Sequence, residues 1–96
     1  MAETELQQKV QRYRKLTEAA LEKIVLKKQL SAKEKGIALD FLEMAKNYFN
    51  DAKHFEQQGD LLNALAAFSY AHAWLDAGVR AGFFDAKGDS KLFTLP

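Results

Sequence analysis

Apolar residues recur along the chain in three stretches at spacings of three and four, parted by two short polar interruptions. In the first stretch Leu6, Val10, Tyr13, Thr17, Ala20 and Ile24 follow one another at intervals of 4, 3, 4, 3 and 4, flanked by Leu16 and Leu21. That period keeps one face of an α-helix apolar, and Thr4 precedes it as an N-cap with Glu5 in the favourable first turn. A first helix is expected over about 4–28. Its seam is thinner than those that follow, so it should be the least firmly packed element.

Residues 29–36, QLSAKEKG, break the pattern, and within them Ser31 and Glu34 have the S-x-x-E spacing of a capping box. A second helix is expected over about 32–58, with Ile37, Phe41, Met44, Tyr48, Ala52 and Phe55 as its inner stripe, broadened by Leu42, Ala45 and Phe49. Gly59 supplies the left-handed residue that ends it, and Asp60 caps a third helix over about 61–81. Leu61, Leu65, Phe68, Leu75 and Val79 line one side of that helix's inner face. Ala64, Ala67, Ala71 and Gly78 line the other, where small side chains let a neighbouring helix approach closely. Gly82 ends it. Three amphipathic helices with short joints predict an all-α fold, a three-helix up-and-down antiparallel bundle forming a single domain over 1–96.

The stretch 83–96 is not helical in pattern, and forms a C-terminal tail. Asp85, Gly88, Asp89 and Ser90 are turn residues, while Phe83, Phe84, Leu92, Phe93 and Leu95 are apolar. Each large one is worth roughly 1.5–3 kcal/mol if fully buried. Leu92 and Phe93 are expected to fold back over the thin seam near Thr17 and Ala20, in their own chain or in a second copy's. The alternative is a free peptide that a partner captures.

Composition changes this picture little. Apolar residues make up 48% of the 96 and charged residues 28%, an ordinary globular balance. Without cysteine there are no disulfides, thiolate nucleophiles or cysteine-based metal sites. No apolar run approaches the ~18 residues of a membrane span, and the polar N-terminus is unlike a signal peptide, so a cytoplasmic protein without membrane partners is expected. Charge is uneven. Residues 1–36 carry a net +4 and residues 37–96 a net −3. The excess invites RNA binding through the first helix. Its cations alternate with Glu18, Glu22 and Glu34, as on any solvated helix face, and nucleic acid is the weaker reading.

Candidate chemistry gathers on the second and third helices. His72 falls inside the apolar seam of the third, with Asp76 at i+4 and Arg80 at i+4 again. It can be a carboxylate-oriented base or ligand, or a core-edge histidine in a stabilising ladder. No nucleophile stands in an evident relation to it, so no catalytic residue is assigned. Asp51 sits closest to the core among the polar residues bordering the second helix's stripe, with His54 three residues on. Antiparallel pairing about Gly59–Asp60 sets residue 47 level with 72, and 43 with 76. Glu43, Asn47, Asp51, His72 and Asp76 can thus meet between the helices, where bundles build metal sites. Interhelical hydrogen bonds and ion pairs are the plainer use, and no metal or cofactor is assigned. No phosphate-binding glycine motif is present. Tyr70 and Trp74 lie towards the edge of the third helix's buried face, as core boundary or as interface anchors.

Tyr48-x-x-Asp51-Ala52-x-x-Phe55, Gly59-Asp60, Ala64, Tyr70-Ala71, Trp74-Leu75-Asp76-Ala77-Gly78, Arg80 and Gly82 resemble an archaeal family catalogued as domain of unknown function 357. Leu92-Phe93-Thr94 is similar to that family's ending. The resemblance implies an archaeal source and a three-helix bundle, and brings no activity. The Asp51-Ala52, Gly59-Asp60, Ala64 and Tyr70-Ala71 spacing is also similar to the helical domains of the HEPN group. Their ribonucleases carry an Arg-x4-6-His motif, which neither His54 nor His72 completes. The expectation is a non-enzymatic interaction module. It would bind a protein partner or itself, as a homodimer, through the second and third helices and the tail. The alternative is a small-ligand, nucleotide or metal site between those helices.

Overall fold

A computed structural model of the chain describes residues 3–95. Its elements in chain order are α1 (Glu5–Lys23), β1 (Val25–Leu26), α2 (Ala32–Gln57), α3 (Leu61–Arg80) and β2 (Phe84–Asp85). The helices form an up-and-down antiparallel bundle measuring 51 × 23 × 17 Å, with α3 packed against both α2 and α1.

Each helix starts where a side chain takes up otherwise unpaired backbone N–H groups. Thr4 Oγ1 accepts from the Gln7 N–H at 3.0 Å while Gln7 Oε1 accepts from the Thr4 N–H at 2.8 Å. This is a full capping box with glutamine in its last position. Ser31 and Glu34 form the second box, at 3.1 and 3.0 Å. Hydrogen bonds from the Ser31 backbone N–H, and then from its side chain, hold the Glu34 carboxyl below its usual range. Asp60 caps α3 through the Asn63 N–H. Both α2 and α3 stop in the same way. Gly59 and Gly82 turn left-handed, at φ 78° and 83°. The residue after each returns its N–H to the helix, Asp60 to Phe55 O and Phe83 to Gly78 O, both at 2.9 Å.

The core divides into two clusters. Near the Gly59 turn, Val10, Phe49, Ala52, Ala64, Ala67, Phe68 and Ala71 pack together, all from helices. At the opposite end lie Ala20, Ile24, Ala38, Ala45, Leu75, Val79, Phe84, Ala86 and Phe93, four of which stand outside the helices.

Helix α1 corrects the expected range 4–28, because it ends at Lys23. Ile24 is extended, with ψ 136°, and the β-branched pair Ile24-Val25 opens a two-residue strand. Val25 pairs with Asp85 and Leu26 with Phe84, antiparallel, and Lys27 donates to Phe83 O at 2.9 Å. The apolar run past residue 23 thus serves a strand pair. Ile24 is buried in the core, and Leu26 packs against it.

The tail docks within its own chain. Phe84 is 1% exposed and lies where a Cβ on residue 78 would be, since a methyl there would meet ring carbons at 2.1 and 2.2 Å. The small residue at 78 therefore admits a phenylalanine of the tail. A neighbouring helix is not what fills that space. Beyond it, Asp85 Oδ1 accepts from the Lys87 N–H, and Lys87 and Gly88 both take left-handed backbone, so the chain reverses. Asp89 then organises a single turn. Its Oδ1 accepts from the Lys91 and Leu92 N–H groups, its Oδ2 from Lys23 Nζ at 2.8 Å, and its carbonyl from the Phe93 N–H. That turn delivers Phe93, 2% exposed, to the core. The Lys23 ammonium first, then the Leu92 and Lys91 amides, hold the Asp89 carboxyl below its ordinary value.

Candidate functional site

The flank of the α2/α3 hairpin that α1 leaves uncovered carries a continuous run of aromatic rings. A seven-residue step puts Phe41, Tyr48 and Phe55 on one edge of α2, while Tyr70 and Trp74 stand one turn apart on α3. Tyr48 meets Tyr70 with centroids 4.4 Å apart, Tyr70 meets Trp74 at 6.4 Å, Trp74 meets Phe41 at 5.1 Å, and Phe41 meets Phe83 at 5.5 Å. All four contacts are edge to face, the arrangement the ring quadrupole favours. Tyr70 is nonetheless 49% exposed, and Trp74 is half-buried. Beside them Ala66, Ala73 and Ala77 are exposed, so the rings stand over low relief. At the Gly59 end the run opens into a shallow groove of ≈ 460 Å³ between Tyr48, Asp51, Phe55, Asn63, Ala66 and Tyr70.

His72 faces the other way. Its Nε2 lies 2.5 Å from Leu92 O and its Nδ1 3.1 Å from Thr17 Oγ1. A carbonyl only accepts, so Nε2 carries a proton. The Thr17 hydroxyl, fully buried, donates to Nδ1 of the neutral ring; it also lies 3.5 Å from Phe68 O. His72 ties α1 to the tail, and Phe93 tilts against its ring at 6.4 Å.

The cluster drawn from sequence between α2 and α3 does not assemble. His72 is engaged by Thr17 and Leu92, while Glu43, Asn47 and Asp51 lie exposed along α2. Asp76 does not form the ladder with His72 and Arg80. Its two oxygens accept from the Thr94 backbone N–H at 2.8 Å and hydroxyl at 3.4 Å, which clips down the tail. His54 and Arg80 are exposed. Among the described residues no three histidine or acidic side chains converge as a metal would require. Tyr70 and Trp74 stand at the edge of α3's buried face, the first 49% exposed and the second half-buried. From the sequence the tail is expected near Thr17, but that residue's bond to His72, the place Gly78 leaves for Phe84, and the ties of Asp89 were missed. Of these only Asp89 left a signal, the cap-like spacing from Asp89 to Leu92.

The charge asymmetry is partly internal. Arg14 of α1 pairs with Glu56 of α2, and Lys23 pairs with Asp89. Arg12 and Lys15 remain exposed on a flat face of α1 with Gln8, Gln11, Leu16 and Ala19. No helix among the described residues is long and apolar enough to cross a membrane.

Such a chain is a small, mostly α-helical bundle with polar ties at its tail-bearing end and an aromatic flank on the α2/α3 side. It belongs to the family described as Protein of unknown function (DUF357), whose model matches residues 12–84. No curated protein and no solved structure matches it.

Proposed function

We propose that the chain is a non-enzymatic interaction module that binds a protein partner, or a second copy of itself, through the uncovered α2/α3 flank. The observation that carries this reading is the aromatic run from Tyr48 to Phe83, ordered by edge-to-face contacts yet left open to solvent at Tyr70. Tyrosine and tryptophan give large rigid contact area at low entropic cost and concentrate binding energy at interfaces. Contiguous apolar surface on a small domain marks contact sites. The tail supports this flank from behind, with Phe84 and Phe93 in the core, and adds Phe83 to the end of the run, so the working surface is the hairpin with that one tail residue.

The test is a photo-crosslinking amino acid at Ala73, on the flank, compared with one at Glu22, exposed on α1. A discrete adduct should form in the native host from position 73 and not from 22, and Tyr70→Glu should abolish it. Equal yields from both positions, or adducts indifferent to Tyr70→Glu, would sink the reading.

A further inference from the structure

Resting on that reading, we infer that the groove between Tyr48, Phe55 and Tyr70 is a pocket for an arginine side chain of the partner protein, with Asp51 as its counter-charge. Asp51 is the one charged residue lining the groove. Among the described residues it pairs with no cation, since the two ion pairs use Glu56 and Asp89. The nearest cation on α2, Lys53, is two residues on and so about 200° around the helix. It lies over the Phe49 ring at 5.1 Å. His54, three residues on and exposed, makes no ion pair with it either, so no cation among the described residues engages this carboxylate.

The remaining groups share its preference. Asn63 uses its Nδ2 to donate to Asp60 Oδ2 at 2.8 Å, which leaves its carbonyl oxygen to accept. The carboxylate and that oxygen both want donors, and a guanidinium has five and no acceptor. The three rings offer what a flat cation stacks upon. Tyr48 and Tyr70 meet at 74° between planes, one ring's edge on the other's face, and Tyr70 stays 49% exposed to receive such a cation. An ammonium would satisfy the charge but use fewer of these acceptors. An anion would meet Asp51 with nothing to offset it.

The probe is N-acetyl-arginine amide, titrated into the full chain while backbone amide resonances are followed, with N-acetyl-citrulline amide as the uncharged isostere. The expected result is a weak but saturable shift confined to residues around Asp51, Asn63 and Tyr70, absent with citrulline. Asp51→Asn should weaken it about fivefold, the scale of a partly exposed ion pair. Asp51 and Tyr70 are both exposed, so Asp51→Asn and Tyr70→Leu leave the fold in place, which the spectrum itself verifies. An equal response to citrulline, no saturation, or shifts spread over Asp40 and Glu43 would overturn the inference. A lysine analogue binding more tightly than arginine would overturn the guanidinium assignment. Crosslinking from Ala73 that survives in Asp51→Asn would keep the flank as an interface while the pocket falls, so the two readings fail separately.

Discussion

The two ends of the bundle hold similar apolar cores but are closed by different means. At the Gly59 end Val10, Phe49 and Phe68 come from three helices, Phe49 and Phe68 meet at 5.5 Å, and the connection is a turn set by one glycine and one aspartate. At the other end Ile24, Phe84, Ala86 and Phe93 stand outside the helices and are held by polar ties: Lys23 to Asp89, His72 to Leu92, Asp76 to Thr94. Apolar helix faces close the first, with one ion pair, Arg14 to Glu56, across α1 and α2. The second needs a segment remote in sequence to arrive and be fastened, so it should be the end that opens first.

The sharpest way to break this comparison is to truncate one large core side chain at each end. Phe68→Ala and Phe84→Ala should each cost about 3–5 kcal/mol by urea unfolding, the usual range for a buried phenylalanine. Their exchange patterns should differ. Phe84→Ala should raise amide exchange at residues 23–27 and 83–93 while α2 and α3 stay protected, whereas Phe68→Ala should loosen all three helices together. Uniform loss in both variants would mean that the ends open as one. A smaller effect is expected from Gly78→Ala, whose methyl must displace the Phe84 ring, at about 1–3 kcal/mol. Combining it with Phe84→Leu should cost less than the two changes summed, because the smaller side chain frees the space the methyl needs. Strict additivity would show that the two residues do not compete for it.

Acid gives the smallest and most selective contrast. The Asp89 carboxyl titrates below its ordinary value because Lys23 and the Leu92 and Lys91 amides favour its charged form. Its stabilisation is therefore complete above the ordinary carboxylate pKa of about 4 and is lost as pH falls through the lower folded value. Protection of Leu92 and Phe93 should fade over that window before the Gly59 end responds. Asp89→Asn should remove the step. If the two ends lose protection at the same pH, the tail is not held by this carboxylate.

The helices were legible in the sequence for local reasons. Capping spacings, left-handed glycines and a period of three and four all act within a turn or two, and Ser31–Glu34 and Gly59–Asp60 fall where those patterns place them. What was not legible depends on partners far along the chain. Ile24, Val25 and Leu26 continue a helical seam equally well until Phe84–Asp85 offers them a strand. His72 sat visibly inside an apolar face, yet whether that face met α2 or α1 is decided by how whole helices pack. Gly78 read as room for a helix because nothing local says which large side chain will fill the space.

The pairing of β1 with β2 has a kinetic consequence. It joins positions about 60 residues apart, while the α2/α3 turn joins neighbours. Drawing together the ends of a flexible loop of that length costs about 3–4 kcal/mol of chain entropy, and much less once the intervening segment has shortened itself. A hairpin already folded about Gly59 returns Arg80 to the level of α2's first turns, so most of that separation is removed before β2 meets β1. The route of lowest barrier then runs in one order, with the α2/α3 hairpin forming first. The aromatic flank would accordingly exist before the molecule is closed, and it would be the last surface lost when the strands part.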